Sequence, residues 1–153
     1  MTTPLANSLL QATLEGLRAQ APFSGMEEVD LAWLAERLSL TYFPRDAALF
    51  EAGGEPPGHL FIVKQGVVEA EAPGRAGTRL LQLSGGEMFP LGALLSGRAV
   101  ANRYVAASDA FCYRLAAADF HSLRDGSQDF GDSCTRRAAR LPRHSLTKVQ
   151  SAY

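Results

Sequence analysis

Cysteine and histidine are scarce in this 153-residue chain, which holds Cys112, Cys134, His59, His121 and His144. The cysteines lack CxxC spacing and have no second Cys or His ligand nearby in sequence, which argues against a zinc site and a disulfide framework. Both read as reduced core thiols. The scattered histidines form no HxH pair, which argues against a metal-dependent jelly-roll enzyme, because such sites cluster histidines and a carboxylate on adjacent strands. No Ser/His/Asp or Cys/His spacing suggests a nucleophile, so the chain is expected not to be an enzyme. Long apolar runs are missing too: none approaches the ~20 residues of a membrane span. The start MTTPLANSLLQ lacks the basic, then apolar, pattern of a secretory signal, so a cytoplasmic location without membrane contact is expected. Charge of one sign is also absent. Fifteen basic against sixteen acidic residues give a formal charge of −1, without the electrostatic footprint of a nucleic-acid or anionic-membrane binder.

What is present is 46% hydrophobic and 20% charged residues with 14 Gly and 8 Pro, a composition suited to one soluble domain with a well-filled core. Thr3 and Pro4 resemble an N-cap and first helical position, and Leu5, Leu9, Leu10, Leu14 and Leu17 recur at helical spacing. An N-terminal helix is expected within residues 1–21. Ser24 and Glu27 have capping-box spacing ahead of a second helix carrying Leu31, Leu34 and Leu38 beside Trp33.

From residue 39 the pattern changes to short segments rich in β-branched and aromatic residues. Pro44, Gly53-Gly54, Pro56-Pro57-Gly58, Gly66, Pro73-Gly74, Gly77 and Gly85-Gly86 separate them. ALFEA, HLFIVKQ, VVEAEA and TRLLQL read as strands, joined by two more at 102–107 and 110–115. In VVEAEA, Glu69 and Glu71 alternate with Val68, Ala70 and Ala72, predicting one wet and one packed face. The expected fold is mainly β with flanking helices, a sandwich or jelly roll over 22–126. A helix is expected at 116–124. Phe130, Cys134, Ala138 and Leu141 then mark a helical stripe, ended by Pro142, in a C-terminal segment 127–153. That segment is basic, with Arg136, Arg137, Arg140, Arg143 and Lys148. Ser127, Asp129 and Asp132 read as helix-start chemistry. The stripe is expected to be partly uncovered and to support a homodimer.

The phrases ALFEAGG, HLFIVKQGVVEA, LSGGEMFPLGALLSGR and VAASDAFCYRL resemble the cyclic-nucleotide-binding domain family over about residues 22–135. The resemblance implies a jelly roll, or double-stranded β-helix, that senses a small ligand. It also implies a phosphate-binding cassette within Gly85–Ala106: a glycine turn, a short helix through Ala93, Leu94 and Leu95, and a return strand. FPLGALLSGR followed by DAFCYRL is similar to bacterial proteins in which this module precedes CBS-pair and nucleotidyltransferase-like domains, which implies downstream domains of the same polypeptide as partners. No helix-turn-helix pattern accompanies the basic tail, so nucleic acid is not an expected partner.

Laid on Gly86 and Phe89, the family pattern puts Pro90 at its glycine and Leu91 at its ribose-binding glutamate. Its phosphate-binding arginine falls on Val100, at the start of Val100-Ala101-Asn102. The candidate ligand-contacting set is therefore Gly86, Glu87, Phe89, Pro90, Leu91, Gly92, Ala93, Arg98, Val100 and Arg103. Glu87 reads as a turn acid with a possible ribose role. Arg98, after Gly97, and Arg103 are the nearby cations that could hold an anion. Met88, Phe89, Leu91, Leu94 and Leu95 read as core. With both charged ligands missing, cyclic nucleotide binding is expected to be weak or absent. Another small anion, or no cofactor at all, is the expectation in its place.

Overall fold

The computed structural model describes residues 4–74 and 78–139. Helix α1 spans Pro4–Arg18. Leu14 and Leu17 are buried in a helical core and Leu10 packs against it, whereas Leu9 is 62% exposed. The five-leucine stripe is thus narrower than the spacing predicts. Thr3 lies outside the described residues, as do Arg140, Leu141, Pro142, Arg143, His144 and Lys148.

The capping box does not form. Ser24 belongs to a 3-10 turn, Phe23–Gly25, and α2 begins only at Glu28, with Glu27 at the N-cap making no side-chain cap. The turn carries Phe23 into full burial. Burying an aromatic side chain contributes ~1.5–3 kcal/mol against ~1 kcal/mol for a cap, so the later start is favoured. α2 runs Glu28–Arg37 and buries Leu31 and Leu34.

Strands follow as β1 Ser39–Phe43, β2 Ala48–Phe50, β3 His59–Gln65, β4 Val68–Glu71, β5 Arg79–Leu83 and β6 Met88–Phe89. Helix α3, Leu91–Ser96, comes next, then β7 Arg103–Ala106 and β8 Ala110–Ala116, and finally α4 Ala117–Gly126 and α5 Gln128–Ala138. They form two four-stranded sheets, β1-β8-β3-β6 and β2-β7-β4-β5, with antiparallel pairing throughout. This is the expected jelly-roll architecture with flanking helices.

The near-continuous apolar run of β3 has a physical reason. Phe61 and Val63 pack between the sheets, while Leu60 and Ile62 face the helices. β8 divides likewise, with Ala110 and Cys112 between the sheets and Tyr113 and Leu115 against the helices. A sheet covered on both faces needs apolar residues at every position.

α5 starts where Ser127 Oγ accepts from the Phe130 N–H. Asp129 lies in the first turn as expected, but Asp132 is inside the helix. Phe130 and Cys134 are fully buried in the helical core and Ala138 packs against it. The described part of the stripe, Phe130, Cys134 and Ala138, packs against the chain itself, because α3 and α4 dock on α5, while Leu141 lies outside the described residues. No described helix is long and apolar enough to cross a membrane.

Candidate cassette between the two sheets

Residues Ser84 to Glu87 turn tightly into the cassette. Ser84 N–H donates to Glu87 Oε1 at 3.0 Å and Glu87 N–H to Ser84 O at 2.9 Å. Gly86, at φ +85°, sends its N–H to Val63 O at 2.8 Å, a left-handed conformation that glycine adopts without cost. Glu87 thus acts as the acceptor that closes its own turn. β6 leads to Pro90 at the N-cap of α3, and Gly97, at φ +69°, ends that helix by donating to Ala93 O at 2.8 Å. The chain returns past exposed Arg98 to Val100, whose carbonyl accepts from the Gly53 N–H at 2.8 Å.

The side chains of the candidate set divide between two cores. Leu91, with Leu94, faces the helical core, whereas Phe89, Ala93 and Val100 belong to the cluster between the sheets. Pro90 is buried and Gly92 half-buried. Leu91 and Val100 are only 6% and 4% exposed, so apolar packing occupies the places the resemblance assigns to a carboxylate and a guanidinium.

Arg103 is tied elsewhere. Its Nη1 donates to Glu71 Oε1 at 2.9 Å and its Nε to Glu51 Oε1 at 3.1 Å. The alternation in VVEAEA holds for Val68, Ala70 and Ala72, all buried, but Glu71 is also only 8% exposed. It is not on a wet face, because the register shifts between Ala70 and Glu71 and Arg103 stands opposite on β7.

Three neighbours that the candidate set omitted line the same interior. The Phe61 and Phe89 rings stack with centroids 5.6 Å apart, and Phe89 and Tyr104 stack at 5.1 Å. Phe50 meets Phe61 edge-on at 5.6 Å. Burial pushes the Tyr104 phenol above its ordinary pKa. Asn102, in the bend just before β7, is buried as well. Among the described residues, no group of three His, Cys, Asp or Glu could hold a metal ion.

The sequence model described as cyclic nucleotide-binding domain matches residues 40–127. The chain belongs to that family. Solved structures of the cyclic nucleotide-binding fold agree. The regulatory domain of Toxoplasma gondii protein kinase A, crystallised with cAMP, superposes with a TM-score of 0.74 at 20% identity, covering 97% of this chain and 52% of that one. The regulatory subunit of a cAMP-independent protein kinase A from Trypanosoma cruzi, bound to guanosine, gives a TM-score of 0.76 at 16% identity, covering 97% and 53%. A triple mutant of the Trypanosoma brucei counterpart, bound to cAMP in its A site, gives 0.77 at 18% identity, covering 96% and 53%. The chain thus spans about half the length of these structures. No curated protein matches it.

Proposed function

We propose that this chain is the regulatory, ligand-sensing module of a longer cytoplasmic signalling protein, with a degenerate cassette that does not take cyclic nucleotides. The observation that carries this reading is Val100, 4% exposed between the sheets where the family resemblance expects the phosphate-binding arginine. Arg98 is exposed and Arg103 is held by Glu51 and Glu71, which supports this reading. The Trypanosoma cruzi subunit, a cAMP-independent protein that holds guanosine, offers a precedent for a cyclic-nucleotide-binding fold with a phosphate-free ligand.

The output runs through the helices. α3 packs on α5, and Leu94 shares the helical core with Phe130 and Cys134. A ligand that shifts α3 therefore shifts α5, and through it downstream domains such as the CBS pair and nucleotidyltransferase-like domain of the resembling bacterial proteins. Partners are then a small molecule and those domains, not nucleic acid or membrane. A second reading, a ligand-free interaction or dimerisation module, is favoured by the ring cluster that fills the space between the sheets.

Calorimetry with cyclic AMP and cyclic GMP tests the first reading. Each missing charge-assisted hydrogen bond removes ~1.5–3 kcal/mol, and two turn a micromolar ligand into a roughly millimolar one. No binding tighter than that is expected, and micromolar binding would overturn the reading.

A further inference from the structure

The two sheets leave four edge strands, and three of them are shielded against pairing with another chain. β6 has two residues and runs into buried Pro90. β2 has three, with a register shift between Ala48 and Phe50, while β5 meets a register shift in β4 and carries exposed Arg79. β1 has none of these devices. Its five residues, Ser39 to Phe43, hold no charge and no proline, and all five pair with β8 without a register shift. β8 is its one hydrogen-bonded neighbour among the described elements, so its outer edge presents unpaired backbone groups. Leu40 and Tyr42 stand opposite Tyr113 and Phe111, hence on one face of the sheet. Tyr113 is covered by the helical core, whereas Leu40 is 53% and Tyr42 50% exposed, with ring centroids of Tyr42 and Phe111 5.1 Å apart.

We propose that β1 pairs antiparallel with β1 of a second copy of this chain, joining two four-stranded sheets into one of eight strands across a two-fold axis. The inference does not depend on what the cassette takes. Centred on Thr41, the pairing sets Leu40 opposite Tyr42 of the second copy, and the reverse, so each exposed apolar side chain covers the other. A strand without charge meets its own copy without repulsion. The flanks select the antiparallel sense. At the Ser39 end stand two cations, Arg37 and Arg114, with one acid, Glu36, and at the Phe43 end two acids, Asp46 and Asp109, with one cation, Arg45. Antiparallel addition brings the basic end of one strand to the acidic end of the other, whereas parallel addition opposes like with like.

Sedimentation equilibrium of the intact chain tests this. One short strand a side makes a small, transient interface, so the mass is expected to rise from 16.4 kDa toward twice that value only between ~0.1 and ~1 mM. Leu40→Lys with Tyr42→Lys opposes like charges twice across the axis and is expected to weaken association at least tenfold. Leu40→Lys with Tyr42→Glu opposes unlike charges in the same register and is expected to associate at least tenfold more tightly than the lysine pair. Both positions are half exposed, so the variants are expected to fold. Should either fail, amide shifts at 39–43 between dilute and concentrated samples of the unmutated chain supply the readout, and amides that stay in place would overturn the inference. A chain still monomeric at the top of that range would overturn it too. Equal association of the two variant pairs would do the same, placing any contact on another surface such as the C-terminal segment.

Discussion

Arg103 and Glu71 face each other across β7 and β4, joined by a 2.9 Å hydrogen bond from Nη1 to Oε1, with the arginine side chain 31% exposed and the glutamate 10%. Glu51, in the chain leaving β2, holds the same guanidinium through Nε. The pair therefore ties the loop after β2 to the sheet beside the cassette. Arg103→Ala is expected to destabilise the fold by ~1–2 kcal/mol in urea, the lower part of the range for hydrogen bonds to charged groups because solvent partly screens the arginine. Cycles with Glu71→Gln and Glu51→Gln should place most of the coupling on Glu71. Equal coupling to both acids would contradict the geometry.

The linker after α1 rests on the cassette turn. A Cβ at Gly86 would overlap Gln20 Oε1, and the residue sits at φ +85°. Gly86→Ala should lose ~1–2 kcal/mol from the backbone alone, with a further loss from displacing Gln20. Adding Gln20→Ala should recover the steric part and leave the backbone part. Full recovery in the double variant, read by denaturant melts, would show that the backbone conformation carries no cost.

Leu91 faces the helical core and not the ring cluster, so Leu91→Glu is expected to place an unpaired carboxylate among apolar side chains. A loss of ~3–5 kcal/mol follows, without gain of cyclic AMP affinity. This narrows what a paired Leu91→Glu and Val100→Arg change can do: only the arginine reaches the space between the sheets. Tight cyclic AMP binding by the double variant would show that α3 turns to present residue 91 to the ligand.

Cys112 and Cys134 are free and buried, and burial pushes both thiols from their ordinary value of 9.0 up to about 12. The folded chain thus keeps protons that the unfolded chain releases above pH 9. Their contribution to stability is complete below pH 9 and falls between about 9 and 12, by about 4 kcal/mol per thiol at full ionisation. At pH 8 a thiol reagent should label neither cysteine until denaturant unfolds the chain. Labelling of either in the native state would contradict their burial.

Much of the architecture was legible because apolar spacing and turn residues act locally. The helical segments at 4–18 and 117–126 carry a helical period, and HLFIVKQ and TRLLQL are short apolar runs bounded by turn residues. β1 and β6 escaped that reading. β1 is an edge strand with Leu40 and Tyr42 exposed, and β6 is two residues long, so neither shows alternation.

The cassette shows the same division. Its order of turn, short helix and return strand follows from Gly86, Gly97 and the apolar run between them. Which core each side chain enters is not written in that order. The six-residue helix α3 lies between two clusters, so Leu91 and Ala93, two positions apart, face opposite ways. Arg103 finds Glu71 and Glu51 only when three strands come together. Asn102 is buried only in the packed fold. Local sequence determined the elements because periodicity needs only near neighbours, whereas charge pairing and burial of a lone polar atom depend on groups far apart in the chain, which only the packed fold brings into contact.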